Sequence, residues 1–90
     1  MKVLVLYRPN SEYGRQVEEF IHEFQHRDDP RNLEILDIDS REGSATASLY
    51  DVYRHPAILV LKTDGQLQHC WMWEDSGMPR IDEVASYTHA

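Results

Sequence analysis

The chain has 90 residues, of which 41% are hydrophobic and 28% charged, as expected for one globular domain. A formal net charge of -7 argues against a general nucleic-acid binder, because phosphate backbones are bound by basic surfaces, and it disfavours contact with anionic membranes. The single cysteine, Cys70, excludes an intrachain disulfide and a four-cysteine zinc site.

The first predicted element is a strand over the aliphatic run Val3 to Tyr7. Its continuous hydrophobicity indicates a strand that is covered on both faces. The run is too short for a signal peptide, and no apolar stretch approaches the roughly 20 residues that span a bilayer. We therefore expect a cytoplasmic protein without a membrane partner.

A helix is predicted to follow the polar segment Arg8–Ser11, in which Asn10 or Ser11 is placed to cap it. Four apolar residues of this helix recur at the spacing of one buried stripe: Val17, Phe20, Ile21 and Phe24. We expect the helix to end near Arg27, because proline at position 30 disfavours the α conformation in the residue before it.

The rest of the chain predicts three more strands and two more helices. The strands are expected over Leu33–Ile38, Ala57–Leu61 and Leu67–Trp73, with Asp64-Gly65 as the hairpin turn between the last two. The second helix is predicted from Ser44, as its cap, to about Tyr53, with Ala45, Leu49 and Val52 facing inward. Pro79 is expected to open the third helix, whose end frays from Tyr87.

These elements predict a single α/β domain over residues 1–90, in the order β-α-β-α-β-β-α. Strands separated by helices are expected to be parallel neighbours, and the last two strands to form an antiparallel hairpin. The predicted architecture is a four-stranded mixed sheet flanked by helices on both faces.

The stretch from Tyr50 to Gly65 resembles the thioredoxin/glutaredoxin superfamily. In that superfamily a helix ends in Tyr-x-aliphatic, a proline in the cis form starts the third strand, and a charged-Gly hairpin follows. Tyr50, Val52, Pro56 and Asp64-Gly65 lie at those spacings. The resemblance spans nearly the whole chain, and it implies a thioredoxin-like fold with a cis peptide bond before Pro56.

The resemblance also implies where a Cys-x-x-Cys redox motif would lie, at the exit of the first strand into the first helix. In this chain that place is Ser11-Glu12-Tyr13-Gly14, so both cysteines are absent. A serine hydroxyl cannot form a disulfide, and dithiol exchange at this site is therefore excluded. The sequence predicts a redox-inactive, thioredoxin-like module.

We predict a binding surface where this degenerate motif faces the loop before Pro56. A helix N-terminus offers free amides, and a cis-proline loop presents its backbone to an extended peptide or to a thiol tripeptide. The predicted binding residues are Arg8, Ser11, Glu12, Tyr13, Gly14, His55 and Pro56. The alternative is a vestigial surface on which Ser11 only caps the helix.

The last strand concentrates large side chains in His69–Trp73. We expect Trp71 and Trp73 to cover the third helix; were they exposed, they would form a docking surface or a dimer interface. Cys70 is expected to behave as a small apolar residue rather than to form an intermolecular disulfide.

His22 and His26 lie one helical turn apart on the polar face of the first helix, a spacing that can chelate a metal. The sequence offers no evident third or fourth ligand. We therefore favour a solvated helix face, and predict neither a metal nor another cofactor.

The leading hypothesis is a non-enzymatic module that binds a peptide or protein partner, or itself as a homodimer. The first alternative is a glutathione-using, transferase-like enzyme with Ser11 in the thiol-activating position. A metal-binding accessory protein that uses His22, His26 or His55 is a weaker alternative.

Overall fold

The structure, a computed structural model, describes residues 2–27, 32–72 and 79–88. The elements are β1 (Lys2–Tyr7), α1 (Gly14–Arg27), β2 (Leu33–Asp37), α2 (Arg41–Leu49), β3 (Ala57–Leu61), β4 (Leu67–Met72) and α3 (Ile81–Thr88). The predicted element order is confirmed. The four strands form one mixed sheet in the order β2-β1-β3-β4.

The two central strands, β1 and β3, carry the core of the domain. Every residue of β3 is buried, and so is every residue of β1 after Lys2. Side chains alternate between the two faces of a strand, so both faces of the sheet need a cover. One face packs against α1 and α3, and the other packs against α2 and the residues that follow it. The predicted helices on both faces are confirmed.

Helix α1 buries the predicted stripe of Val17, Phe20, Ile21 and Phe24. Burial of one such side chain contributes about 1.5–3 kcal/mol. The helix begins at Gly14, three residues after Ser11. The Ser11 hydroxyl donates to the carbonyl of Arg8 (2.7 Å) and does not accept from the helix, so the predicted capping by this hydroxyl is wrong.

Helix α2 starts earlier than predicted, because Ser40 rather than Ser44 is its cap. The Ser40 hydroxyl accepts from the Gly43 amide (3.0 Å) and donates to the Asp37 carbonyl (2.6 Å). These bonds attach the start of the helix to the end of β2. Gly43 lies against the Asp37 carbonyl, and an added Cβ would overlap that oxygen. Gly43, which the sequence suggested to be a loop residue, is thus needed for the close approach of α2 to the end of β2.

The inward face of α2 also differs from the prediction. Ala45 and Leu49 are exposed, the latter by 73%. Residues 43, 47 and 50 face the sheet instead, and Val52 packs beside them as expected. Moving the helix start to residue 41 explains the error, since the buried stripe begins at Gly43.

Helix α2 ends at Leu49 and not near Tyr53, because Asp51 adopts a left-handed conformation (φ 56°). The Val52 amide then donates to the Ala47 carbonyl (2.8 Å), and the Asp51 amide to the Ser48 carbonyl (3.4 Å). This pair of bonds is the Schellman arrangement, which reverses the chain direction after a helix.

That reversal sets the direction of β3, which we predicted incorrectly. The Tyr50 hydroxyl donates to the Gly65 carbonyl (2.7 Å), so the end of α2 lies near the β3–β4 turn. Residues 52–56 then lead back to the other end of the sheet, where Ala57 opposes Leu6. Strand β3 therefore pairs antiparallel with β1. The parallel β1–β2 pair and the antiparallel β3–β4 hairpin are as expected.

Within the described ranges, no helix is long and apolar enough to cross a membrane.

Candidate functional site

Three loops lie side by side at one end of the sheet. Tyr7 pairs with Asp37, and Leu6 pairs with Ala57. The exits of β1 and β2 and the entry of β3 therefore share this end. It brings the predicted site segment 8–14 to the same edge as His55-Pro56.

The peptide bond between His55 and Pro56 is cis, as the resemblance implied. Pro56 is buried, whereas the His55 side chain is exposed. Pro56 thus faces inward immediately before β3, and His55 faces the solvent.

Arg8 forms a two-point ion pair with Asp39, a residue that the sequence analysis missed. The Arg8 Nε donates to Oδ2 of Asp39 (2.8 Å), and Nη2 donates to Oδ1 (3.1 Å). This hydrogen bonding lowers the pKa of the Asp39 carboxyl and raises the pKa of Arg8. The guanidinium is thus engaged by the chain itself. Neighbouring parallel strands have their carboxyl ends at the same end of the sheet. Because Arg8 and Asp39 both follow such strands, the sequence could have indicated that they lie close together.

Asp39 is held in place by the turn that follows β2. Its amide donates to Oδ1 of Asp37 (2.8 Å), and the Ile38 amide donates to the Tyr7 carbonyl (3.1 Å). The charge of His55 further lowers the pKa of Asp39, after the larger effect of Arg8. Side chains from the loop after β1 and from the loop before β3 therefore both stabilise the charged form of Asp39, in the loop after β2.

The degenerate motif differs from a redox site in shape as well as in chemistry. Gly14 is buried against the Pro9 carbonyl, and an added Cβ would overlap that oxygen. Position 14 therefore has no room for a side chain unless the loop moves. Glu12 is exposed, and Tyr13 is half-buried and accepts the Val17 amide at its carbonyl (3.1 Å).

The segment Tyr53–His55 is an exposed loop at this end of the sheet, and the sequence analysis assigned only its last residue to the site. All three side chains are exposed, and Tyr53 is exposed by 73%. The Arg54 guanidinium lies 5.9 Å from the centre of the Tyr53 ring. Among the described residues, no backbone hydrogen bond involves any of the three.

Two cavities lie away from this end. One, of about 390 Å³, lies between α1 and α3 and is lined by Glu19, Glu23, Arg80 and Asp82, among others. The other, of about 410 Å³, lies at the opposite end of the sheet beside Lys2 and Lys62. Neither contains a predicted site residue.

The Trp-rich edge is partly a packing surface. Strand β4 is at the edge of the sheet, and its half-buried Trp71 contacts Tyr87 of α3, with ring centres 5.4 Å apart. Tyr87 also stacks on His69 (4.8 Å), so the fraying that we expected at Tyr87 is wrong, and residues 89–90 lie outside the described part of the chain. Trp73 lies outside the described residues. Cys70 is half-buried on the opposite face, where burial raises the pKa of its thiol.

The structure brings His22 and His26 into contact on the exposed face of α1, with their Nε2 atoms 3.3 Å apart. No group of three or more potential metal ligands is found within residues 2–27, 32–72 and 79–88. His55 lies at the end of the sheet and joins neither of them.

One solved structure that resembles this chain is thioredoxin 1 from the thermophilic bacterium Thermosipho africanus. The TM-score is 0.70 at 15% sequence identity, and the match covers 99% of this chain and 91% of that one. At this identity the likeness shows the fold alone: the chain has a thioredoxin-like fold, with one cysteine and hence no Cys-x-x-Cys pair. No family profile matches the sequence, and no curated protein matches it.

Proposed function

We propose that this redox-inactive, thioredoxin-like chain is a non-enzymatic module that binds an extended peptide segment of a protein partner. The peptide pairs with residues 53–55, next to the degenerate motif. The observation that carries the proposal is the unpaired backbone of this segment among the described residues.

Residues 53–55 lead into β3 with exposed side chains, and none of their backbone groups is hydrogen-bonded to another backbone group among the described residues. An extended peptide laid along this segment can use those groups, and each main-chain hydrogen bond then contributes about 0.5–1.5 kcal/mol. The main-chain bonds supply affinity without a sequence requirement. The neighbouring side chains supply the selectivity.

Tyr53 and Arg54 are the side chains best placed to give that selectivity. Tyrosine and arginine are the residue types that most often dominate binding energy at interfaces. Arg54 has no carboxylate partner in the part of the chain that the structure describes, in contrast to Arg8, which Asp39 engages. We therefore expect an acidic side chain in the bound peptide, next to an apolar one that covers Tyr53.

The glutathione-using alternative is less favoured, because the Ser11 hydroxyl donates its hydrogen bond to the Arg8 carbonyl (2.7 Å). A serine that activates a thiol must direct this proton to the thiolate instead. Self-association through Trp71 of the edge strand β4 is also less favoured, since the Trp71 ring packs on Tyr87 of α3.

The test is to select peptides that bind this chain from a phage-displayed library of random octapeptides. One selected peptide is then synthesised, and its affinity for the chain is measured. We expect Tyr53→Ala and Arg54→Ala each to weaken binding about ten-fold, a loss of about 1.4 kcal/mol. Lys62→Ala is the matched control, because it removes an exposed cation at the far end of β3 and leaves affinity unchanged.

Two outcomes would overturn the proposal. One is a failure to select any peptide. The other is a selected peptide whose affinity is the same for the parent chain and for both variants. Millimolar reduced glutathione is added as a competitor, and we expect it to displace no peptide.

A further inference from the structure

Two imidazoles meet on the polar face of α1, away from the proposed peptide surface. The Nε2 atoms of His22 and His26 are 3.3 Å apart, and their ring centres are 4.6 Å apart. Both side chains are exposed. They belong to one helix, whose backbone holds residues four apart on the same face.

The separation of the two nitrogens matches what one metal ion requires. Zinc binds imidazole nitrogen at about 2.0–2.1 Å and prefers tetrahedral geometry. Two such bonds at the tetrahedral angle place their nitrogens roughly 3.3–3.4 Å apart. We propose that His22 and His26 form a two-histidine site for a divalent ion of the zinc class.

The two rings are nearly perpendicular, at 84°, with nitrogen facing nitrogen. Such a contact needs a hydrogen on one Nε2 and a lone pair on the other. An ion replaces that hydrogen when both Nε2 atoms present lone pairs. The exposed rings are free to turn toward a common ion, and the Cβ positions need not change.

Carboxylates on the same helix add a favourable field. Glu23 precedes His26 by three residues on this helix, and Glu19 precedes His22 by three but is paired with Arg15 (3.6 Å). The net charge of -7 also favours a cation. No third described ligand completes the site, so water fills the remaining positions and the affinity is modest.

Selectivity among divalent ions distinguishes binding by the two imidazoles from general electrostatic attraction of cations to an acidic surface. Imidazole ligands bind copper(II) more tightly than zinc and have little affinity for magnesium, whereas carboxylates and water suit magnesium. A site made by the two histidines therefore binds copper(II) and zinc and does not bind magnesium at comparable concentrations.

The experiment is calorimetric titration of the whole chain with zinc chloride at about pH 7.5, where free imidazole is largely neutral. We expect one zinc per chain, with affinity at least ten-fold weaker in His22→Gln and in His26→Gln. His55→Gln is the matched control: it removes an exposed histidine outside α1 and leaves zinc affinity unchanged. Circular dichroism verifies that each variant is folded.

A second readout is thermal unfolding with and without the metal. Zinc at about 100 times its dissociation constant lowers the unfolding equilibrium constant about 100-fold in the parent chain, and at that zinc concentration by about 11-fold or less in an α1 variant whose affinity is at least ten-fold weaker. Unchanged zinc affinity in both α1 variants would overturn the proposal, and so would the absence of zinc binding at millimolar metal. Magnesium that binds as tightly as zinc would also overturn it.

Discussion

Arg8 and Asp39 are 31 residues apart in the sequence and form a two-point ion pair between the loops that follow β1 and β2. The carbonyl of Arg8 accepts both the amide (3.1 Å) and the hydroxyl (2.7 Å) of Ser11. The pair therefore fixes the backbone from which the degenerate motif starts. It also leaves the Arg8 guanidinium engaged within the chain.

Replacing Arg8 is expected to raise the pKa of Asp39. Hydrogen bonding from Arg8 favours the charged carboxylate, so the folded-state pKa lies below the unfolded value. The pair thus contributes stability above the unfolded pKa of Asp39, and that contribution is lost as pH falls through the folded pKa. NMR titration of the Asp39 carboxyl in Arg8→Gln measures the change. Arg15→Gln, which removes an exposed arginine of α1, leaves the titration unchanged. An Asp39 midpoint that is the same in all three chains would contradict the assignment.

The start of α2 predicts different effects for two serines. Ser40→Ala removes the cap that accepts from the Gly43 amide, and we expect it to lower the free energy of unfolding by about 1 kcal/mol. Ser44 is exposed within the helix, so Ser44→Ala changes stability by less than about 0.5 kcal/mol. Urea unfolding of both variants measures the difference. Equal effects would mean that the helix does not begin where we place it.

Gly14 is expected to tolerate no side chain. In Gly14→Ala the added Cβ overlaps the Pro9 carbonyl oxygen, and moving the loop costs about 1–3 kcal/mol of stability. Glu12→Ala, at an exposed position of the same loop, is the control and is close to neutral. The comparison is made by chemical denaturation. A Gly14→Ala variant as stable as the parent chain would show that position 14 has room for a Cβ atom and would contradict this account.

The end of α3 is expected to contribute to stability. Tyr87→Ala removes the ring that contacts both His69 and Trp71, and we expect a loss of about 2 kcal/mol for this half-buried aromatic. Ser86→Ala changes an exposed neighbour and has little effect. Thermal unfolding, with tryptophan fluorescence as the signal, measures both. Equal melting temperatures for the two variants would support the frayed end that the sequence suggested.

Much of the fold could be predicted from local patterns. The continuous aliphatic runs of β1 and β3 and the stripe from Val17 to Phe24 identify buried elements without reference to the rest of the chain. The direction of β3 could not be predicted in this way. It depends on the reversal at Asp51, a residue type that only infrequently adopts a positive φ, and on the return of residues 52–56 across the sheet.

The location of the candidate site was predicted better than its contacts. Resemblance placed Ser11-Gly14 and His55-Pro56 at one end of the sheet, and the strand register agrees. Asp39 was missed because pairing across two loops depends on tertiary structure. Tyr53 and Arg54 were missed as site residues because the second helix was predicted to reach about Tyr53, whereas it ends at Leu49 and leaves both side chains exposed in the loop before β3.

Amide hydrogen exchange tests the central claim most directly, namely that a peptide adds a strand along residues 53–55. In the free chain these amides lack backbone partners among the described residues, so we expect them to exchange rapidly. With a selected octapeptide at saturation, at least one of the amides of Tyr53, Arg54 and His55 should exchange ten-fold or more slowly, while that of Thr63 does not change. Unchanged exchange across all three residues in the saturated complex would contradict the account.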